Sequence, residues 1–409
     1  MDLSENQERS EGRDELSGIR PELPRRAVPV LYAVASLFWI SLYLYLPILA
    51  PYVEHLGGTL STVGIVISAY GLAQLLFRLP LGMISDRLGL RRPFLAFGLI
   101  ASFFASLNFI LITHPWLMAG ARFLSGMASS SWVAFTVLFA SYFPSFQTAR
   151  SIGYILFLNG LAIMIATITG GYLAELYGWL APFKASILMA LLGILGLGMV
   201  HEKRIRKSSE QTTLQQLKRV IRCPGLVLAT LIAALGQYVL FSTGFGFVTN
   251  YGVSIGASKA QLGILTMVGT LSTSVGSLLA GSVIAAKSSS RVSVSISNGI
   301  VALGTAIVPY VRTVPLLCLS QIVAGFGRGI SYTVLMSLAI KDLRDEDKAT
   351  AMGFFQSYSV GNVFGPAISG VVGNRWGYAG IFLSNGVVAA IAGLLGLGLR
   401  EGADEEDPK

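Results

Sequence analysis

Three arginines, Arg78, Arg122 and Arg328, stand inside long apolar runs of this sequence. A cation at the centre of a bilayer costs at least about 2.5–3.5 kcal/mol, so each needs an anion, a carbonyl, water or a bound ligand. Counted at 1.5 Å per residue from one boundary of a hydrocarbon layer of about 30 Å, Arg122 lies about 9 Å deep, Arg328 about 21 Å and Arg78 about 27 Å. Arg78 can snorkel to the far interface. Arg328 is too deep to do so easily; it is framed by Gly325, Gly327 and Gly329, which open space around it, with Tyr332 one turn on. No carboxylate lies at its level. That leaves a negatively charged group on a substrate, or a carbonyl ladder that the three glycines break.

Other side chains that can do chemistry are sparse. Groups able to take up and release a proton are Glu54 with His55, Glu175 and Asp86, each near the end of an apolar run. Tyr43, Gln74, Asn159, Gln237, Tyr238, Gln356, Tyr358 and Asn362 are polar groups within runs, and Trp39, Trp132, Phe135, Phe241 and Phe245 add flat apolar surface. Such a mixture suits an amphipathic organic molecule better than a bare ion or a sugar. The expected substrate contacts are Tyr43, Gln74, Trp132, Asn159, Tyr238, Arg328, Tyr332, Gln356 and Asn362. The three histidines are far apart, and there is no nucleophile elbow, Walker loop or metal-ligand cluster. The sequence therefore points away from an enzyme, and no cofactor or metal site is expected.

The elements that must hold these groups follow from composition. Of 409 residues, 53% are hydrophobic and 12% charged, about half the charged share of a soluble domain. Between Ala27 and Leu399 the only carboxylates are Glu54, Asp86, Glu175, Glu202, Glu210, Asp342, Asp345, Glu346 and Asp347. This excludes a soluble enzyme and a disulfide scaffold; Cys223 and Cys318 are isolated. The net charge of +9 is that of basic loops on one membrane face rather than of a nucleic-acid binder. Runs long enough to span a bilayer occur at about 30–52, 60–82, 94–112, 116–140, 151–173, 180–200, 226–250, 260–286, 292–311, 314–339, 350–372 and 379–399.

The expected fold is all-α, with twelve transmembrane helices in two six-helix bundles. Arg87, Arg91, Arg92, Arg150, Lys287, Arg291, Lys341, Arg344 and Lys348 fall in loops on the side of the termini, so both termini are expected in the cytoplasm of a cell-membrane protein. The organisation reads as a disordered tail (1–26), a first bundle (27–200), a basic cytoplasmic linker (201–224), a second bundle (225–400) and an acidic tail (401–409). Leu214, Leu217, Val220 and Ile221 share one face of the linker, which is either an interfacial helix or a solvated connection. The bundles match at a shift of 199 to 200 residues. Gly82 pairs with Gly281, Arg122 and Gly126 with Gln321 and Gly325, Gly153 with Gly353, Gly170 with Gly370, and Gly178-Trp179 with Gly377-Tyr378. Parallel repeats of this kind occur in carriers whose halves rock around a midplane site.

After the second run comes Gly82-Met83-Ile84-Ser85-Asp86-Arg87-Leu88-Gly89-Leu90-Arg91-Arg92. One glycine lets a helix end pack closely, a second permits a tight turn, and an acid sits amid arginines. This segment resembles the signature loop of the major facilitator superfamily. Arg122 with Gly126, and Gly361-Asn362-Val363-Phe364-Gly365-Pro366, are similar to further motifs of that family. The likeness covers about residues 27 to 400. It departs where helix five carries Asn159-Gly160 and Gly170-Gly171 without Gly-Pro, where Ala285 stands in the second repeat opposite Asp86, and in the lack of carboxylates deep in any span.

The resemblance implies alternating access by a monomer, with Gly82, Asp86, Arg87, Gly89 and Arg91 acting as a conformational switch. Arg122, Glu54 and Glu175 are the candidates for coupling to protons. The expected cargo is a small drug-like compound or metabolite, exported; the alternatives are an organic-anion importer or exchanger that uses Arg328, and a sensor that binds without transport. Asp86→Asn is expected to abolish or slow transport with little loss of expression, as substrate flux per milligram of membrane protein would report.

Overall fold

In the computed structural model the described residues are 26–143, 148–202, 219–281, 289–341, 343 and 345–399. The expected tails and most of the linker, including Leu214 and Leu217, lie outside them. Among the described residues the protein is helical throughout. The first bundle comprises α1 (Ala27–His55), α2 (Leu60–Leu88), α3 (Arg92–Leu111), α4 (Pro115–Ser141), α5 (Thr148–Tyr177) and α6 (Ala181–Leu197). The second comprises α7 (Pro224–Ser254), α8 (Lys259–Leu279), α9 (Ser290–Tyr310) and α10 (Val314–Lys341), followed by α11 (345–376) and α12 (378–396). The last two are one continuous stretch until Gly377, whose φ of 64° and ψ of −164° turn the chain back.

The twelve helices put alternate connections on opposite faces. One, here the turn face, carries tight turns whose glycines have positive φ: Gly57, Gly178, Gly256 and Gly377. Only glycine takes that conformation without strain from a Cβ. Gly57 and Gly256, like Gly178 and Gly377, are 199 residues apart, so the repeat is built into the turns. So are the helix starts: the Thr59 side chain accepts from the Thr62 amide, and the Ser258 side chain from the Gln261 amide. The other face, the loop face, carries the Gly82 to Arg92 segment. There α2 runs six residues further than its apolar run, so Asp86 and Arg87 occupy its last turn, and Gly89 (φ 66°) ends it.

Each bundle is knit by small side chains and hydroxyls, the means of helix association available in lipid. Ser41 bonds Ser102 at 2.7 Å and Tyr45 bonds Ser125 at 2.8 Å in the first half; Ser272 donates to the Ile322 carbonyl at 2.6 Å in the second. Large apolar side chains such as Phe157, Leu195, Leu278 and Leu303 are exposed instead, on surfaces that face lipid or a cleft.

The halves meet at the turn face. A Cβ on Gly64 of α2 would lie 2.3 Å from the Pro366 carbonyl oxygen and 3.1 Å from the Gly370 Cα of α11. A Cβ on Gly171 of α5 would lie 2.8 Å from the Lys259 carbonyl oxygen and 2.9 Å from the Gly263 Cα of α8. Gly64 and Gly263 are 199 apart, and so are Gly171 and Gly370. The two crossings are therefore one contact used twice. This corrects the sequence alignment of Gly170 with Gly370: Gly170 packs on Leu44 of α1 within its own half, and Gly171 is the equivalent residue.

At the loop face the matching glycines are free of contact among the described residues. Gly153, Gly281 and Gly353 have no atom of those residues within 4 Å of an added Cβ, and Gly82 meets only Val133 of its own half, at 3.7 Å. The expectation that Gly82 packs closely is therefore not met in this arrangement. Among the described residues the glycine crossings between the halves are closed at the turn face and unmade at the loop face. Gly171→Val should disfavour this closure, since its side chain would have to displace backbone at a cost of about 1–3 kcal/mol. A cysteine placed at Ser61 should then react faster with a membrane-impermeant maleimide, and an unchanged rate would contradict the packing described.

Candidate functional site

The cleft between the halves is bridged at mid-height by α2 and α11. Gln74 donates to the Ser129 hydroxyl at 3.0 Å and accepts from the Asn362 amide at 3.3 Å, so it joins α4 to the opposite half. Gly71 admits Asn362, whose Cβ would lie 2.7 Å from a Cβ on the glycine. Ser68 donates to the Val363 carbonyl at 2.7 Å. Two hydrogen bonds and one glycine contact between α2 and α11 thus hold the centre.

Aromatic rings run from there through both halves. Trp132 and Trp39 are 5.0 Å apart, Trp39 and Tyr43 5.5 Å, and Tyr43 and Phe245 6.2 Å. Phe245 then meets Phe241 at 5.4 Å, and Phe241 meets Tyr70 at 6.0 Å. The Arg122 guanidinium caps the series, 4.3 Å from the Tyr70 ring centroid. A buried arginine on an aromatic face has a favourable partner without a carboxylate. Tyr43 and Trp132, expected as substrate contacts, therefore belong to one continuous series of aromatic rings.

Other expected contacts scatter. Tyr238 is turned into its own bundle, where its backbone admits Gly361 and Gly365 of α11 and its side chain packs beside Val301 and Ala389. Asn159 on α5 is half-buried, with its carbonyl oxygen unpartnered. Gln356 sits in a short 3-10 turn, Gln356–Ser359, that interrupts α11. Arg78 is half-buried rather than free in solvent. Tyr332 and Tyr358 bond each other at 3.3 Å.

Arg328 is 8% exposed and joins two cavities inside the second half, of about 150 and 70 Å³. Its surroundings overturn the reading of its glycines. An added Cβ on Gly325, Gly327 or Gly329 would lie 2.6, 2.4 or 2.0 Å from a backbone oxygen of α8 or α9. These residues close helix packing rather than open room, and α10 continues unbroken past them, so its carbonyl ladder is intact.

At the loop face the Asp86 carboxylate accepts from Arg91 Nη2 at 2.5 Å, and Arg91 Nη1 donates to the Ser85 hydroxyl at 2.6 Å. No contact from Asp86 to the second half occurs among the described residues. The sequence did not single out Glu202. Its carboxylate accepts from the backbone amides of Arg91, at 2.5 Å, and Arg92, at 2.9 Å, at the N-terminal end of α3. Nearby, the Tyr142 hydroxyl donates to the His201 carbonyl, and burial with Glu202's charge second pushes that hydroxyl's pKa up.

The two carboxylates at the turn face both reach across the halves. Glu54 accepts from the Asn250 amide at 2.5 Å and from the Tyr378 hydroxyl at 3.2 Å. Glu175 accepts from the Lys259 amide at 2.8 Å and the Ala260 amide at 3.4 Å, at the N-terminal end of α8. Its equivalent at a shift of 199 is Asn374, which accepts from the Ser61 amide at 3.2 Å at the start of α2. One cap carries a charge and its mate is the neutral amide. The repeat offset could have located Asn374; nothing in the sequence pointed to Asn250.

The sequence profile of the Major Facilitator Superfamily matches residues 31–258 and again 226–409, and the chain belongs to that superfamily. It is similar to the quinolone resistance protein NorA of Staphylococcus aureus (strain MRSA252), at 25% identity over 240 residues, 58% of this chain and 61% of NorA. The matched stretch thus spans less than two thirds of that relative. It is also similar to the uncharacterized MFS-type transporter MJ1560 of Methanocaldococcus jannaschii, at 21% identity over 370 residues, 85% of this chain and 92% of that one. Among solved structures, a bacterial homolog of the human lysosomal transporter Spinster, inward-facing and unoccupied, has a TM-score of 0.76 at 14% identity, covering 91% of this chain and 96% of its own. The nucleoside transporter NupG has a TM-score of 0.74 at 14% identity, covering 91% and 98%. At these identities the likeness establishes the fold.

The family and fold are those of transporters, and the chain is a multi-pass membrane protein of this kind. Removing the carboxylate that anchors the start of α3 should cost about 1–2 kcal/mol. Glu202→Gln is therefore expected to lower the melting midpoint of the purified protein in detergent; an unchanged midpoint would show that the Arg91 and Arg92 amides find water as good a partner.

Proposed function

We propose that the protein is a secondary transporter that exports a small amphipathic organic solute by alternating access, with the loop face in the cytoplasm. The excess of arginine and lysine on that face supports the orientation. The arrangement closed at the turn face is then the state open to the cytoplasm. Likeness to a quinolone resistance protein supports a drug-like or metabolite cargo and the outward direction.

One observation carries the reading: the crossed helices hold matched glycines at both ends, tight at one and free at the other. From Gly64 to Gly82 along α2 is 18 residues, and from Gly370 back to Gly353 along α11 is 17. From Gly171 back to Gly153 along α5 is 18, and from Gly263 to Gly281 along α8 is 18. At 1.5 Å per residue each free pair sits about 26–27 Å from its tight pair, at equal height. Rocking the halves about the Gln74–Asn362 level would bring Gly82 to Gly353 and Gly153 to Gly281. Cargo would be held on the aromatic wall of Trp132, Trp39 and Tyr43, beside Gln74 and Asn362. Asp86 would act after the rocking, when the loop-face ends of α2 and α11 meet.

A pH bias is proposed at the turn face. An outer proton that neutralises Glu54 weakens hydrogen bonds that a carboxylate makes about twice as strong. Outer acid therefore favours the state open to the outside. Glu175, exposed, adds a weaker latch of the same sign, and Arg122 stays paired to Tyr70 throughout. In proteoliposomes Glu54→Gln should keep solute exchange but lose most of its dependence on outer pH. Exchange that responds to outer pH as in the parent protein would remove Glu54 from this role.

A further inference from the structure

Among the described residues Arg328 has no counter-ion within its half. Between Pro224 and Lys341, and again from Lys348 to Leu399, the sequence contains no aspartate or glutamate. The guanidinium is more than nine-tenths buried, and its Nε and Nη1 are buried without a hydrogen-bond partner. A charge so placed is retained at a cost unless an anion joins it. Its intact helix and tightly packed glycines rule out the carbonyl ladder of α10 as the partner.

The space around the guanidinium is apolar and of definite size. Ile232, Val239, Leu335 and Ala389 wall the larger cavity, whose volume is about 150 Å³. An apolar cavity of about that volume accommodates a benzene-sized body. The room beside the charge comes from other helices: a Cβ on Gly244 would lie 3.7 Å from Arg328 Nη2, and one on Gly269 3.9 Å. Gly244 belongs to a π-helical segment of α7, Leu240–Phe247, whose widened turn borders both cavities. The Gln237 amide also lines the larger one, with its oxygen unpartnered. The adjacent cavity of about 70 Å³ continues past the guanidinium toward Gln321.

We propose that this cavity is a binding site for a compact organic monocarboxylate, with its apolar body against Ile232 and Val239 and its carboxylate on the unpartnered Arg328 N–H groups. The site lies inside the second half, and the adjacent cavity borders the aromatic series at Phe245. It deepens the transport reading and rests on it only for the claim that the bound anion is cargo. The carboxylate supplies the missing charge, which water cannot, and the body fills the apolar room beside it.

The test is binding to the purified full-length protein in detergent, with sodium benzoate, neutral benzamide and sodium chloride as probes, read by melting midpoint and titration calorimetry. Benzoate should stabilise saturably, with benzamide weaker by about tenfold or more and chloride weaker still. Arg328→Gln should abolish the preference for benzoate. Ala233→Leu, which fills the cavity from its wall and leaves the charge, should weaken benzoate about tenfold and carries the test if the arginine variant does not fold. Three outcomes overturn the proposal: equal binding of benzoate and benzamide, benzoate binding unchanged in a folded variant, or chloride binding as tightly as benzoate. Binding needs no transport, so its loss counts against this site alone, whereas liposomes that move no solute count against the transport reading alone.

Discussion

The closure of the two halves at the turn face depends on backbone touching backbone at two places. Helices α2 and α11, and α5 and α8, approach until a single methyl group on Gly64 or Gly171 would overlap the partner's main chain. In lipid, where apolar side chains gain nothing by leaving solvent, such contact is a main source of helix association. Beside it, buried apolar side chains of both halves, among them Ile67 and Tyr70 with Phe241 and Phe247, form one cluster that must part when the closure opens. The same helices present a second set of glycines about 26–27 Å away. A closure made this way can be exchanged for another of similar strength.

Charge is arranged around that exchange. The first half supplies both carboxylates at the turn face, Glu54 and Glu175, and the second half supplies the donors, Asn250, Tyr378 and the start of α8. The internal repeat makes the contrast instructive, since Asn374 does for α2 without charge what Glu175 does for α8. At the loop face the charges are satisfied inside the first half, with Asp86 and Glu202 both held by Arg91. The second half has the opposite condition: its deep cation, Arg328, meets no carboxylate among the described residues.

The fold was largely legible from the sequence because spans in lipid are governed by length and apolarity, and the twelve runs correspond to the twelve helices. The repeat was legible through glycines, but its register slipped by one at Gly170, which serves packing within its own half while Gly171 makes the contact between halves. Composition could not show that Gly325, Gly327 and Gly329 fill tight crossings instead of opening space, since a glycine permits either. The aromatic series that holds Tyr43 and Trp132 was recognisable by type and depth. Tyr238 has the same type and depth, yet faces away, and helix rotation decides that. Asn250 and Glu202 act through partners distant in sequence, to amides and hydroxyls that carry no pattern of their own.

The central claim is that the glycines free at the loop face become the contact of a second state. It is tested most directly by cross-linking Gly82→Cys to Gly353→Cys in membranes, with Cys223 and Cys318 replaced by serine. A short bifunctional reagent should link the pair in a fraction of molecules that rises when Gly171→Val opens the turn face. If no link forms under any condition while each cysteine alone reacts freely, the halves do not rock about the level of Gln74 and Asn362, and the account is wrong.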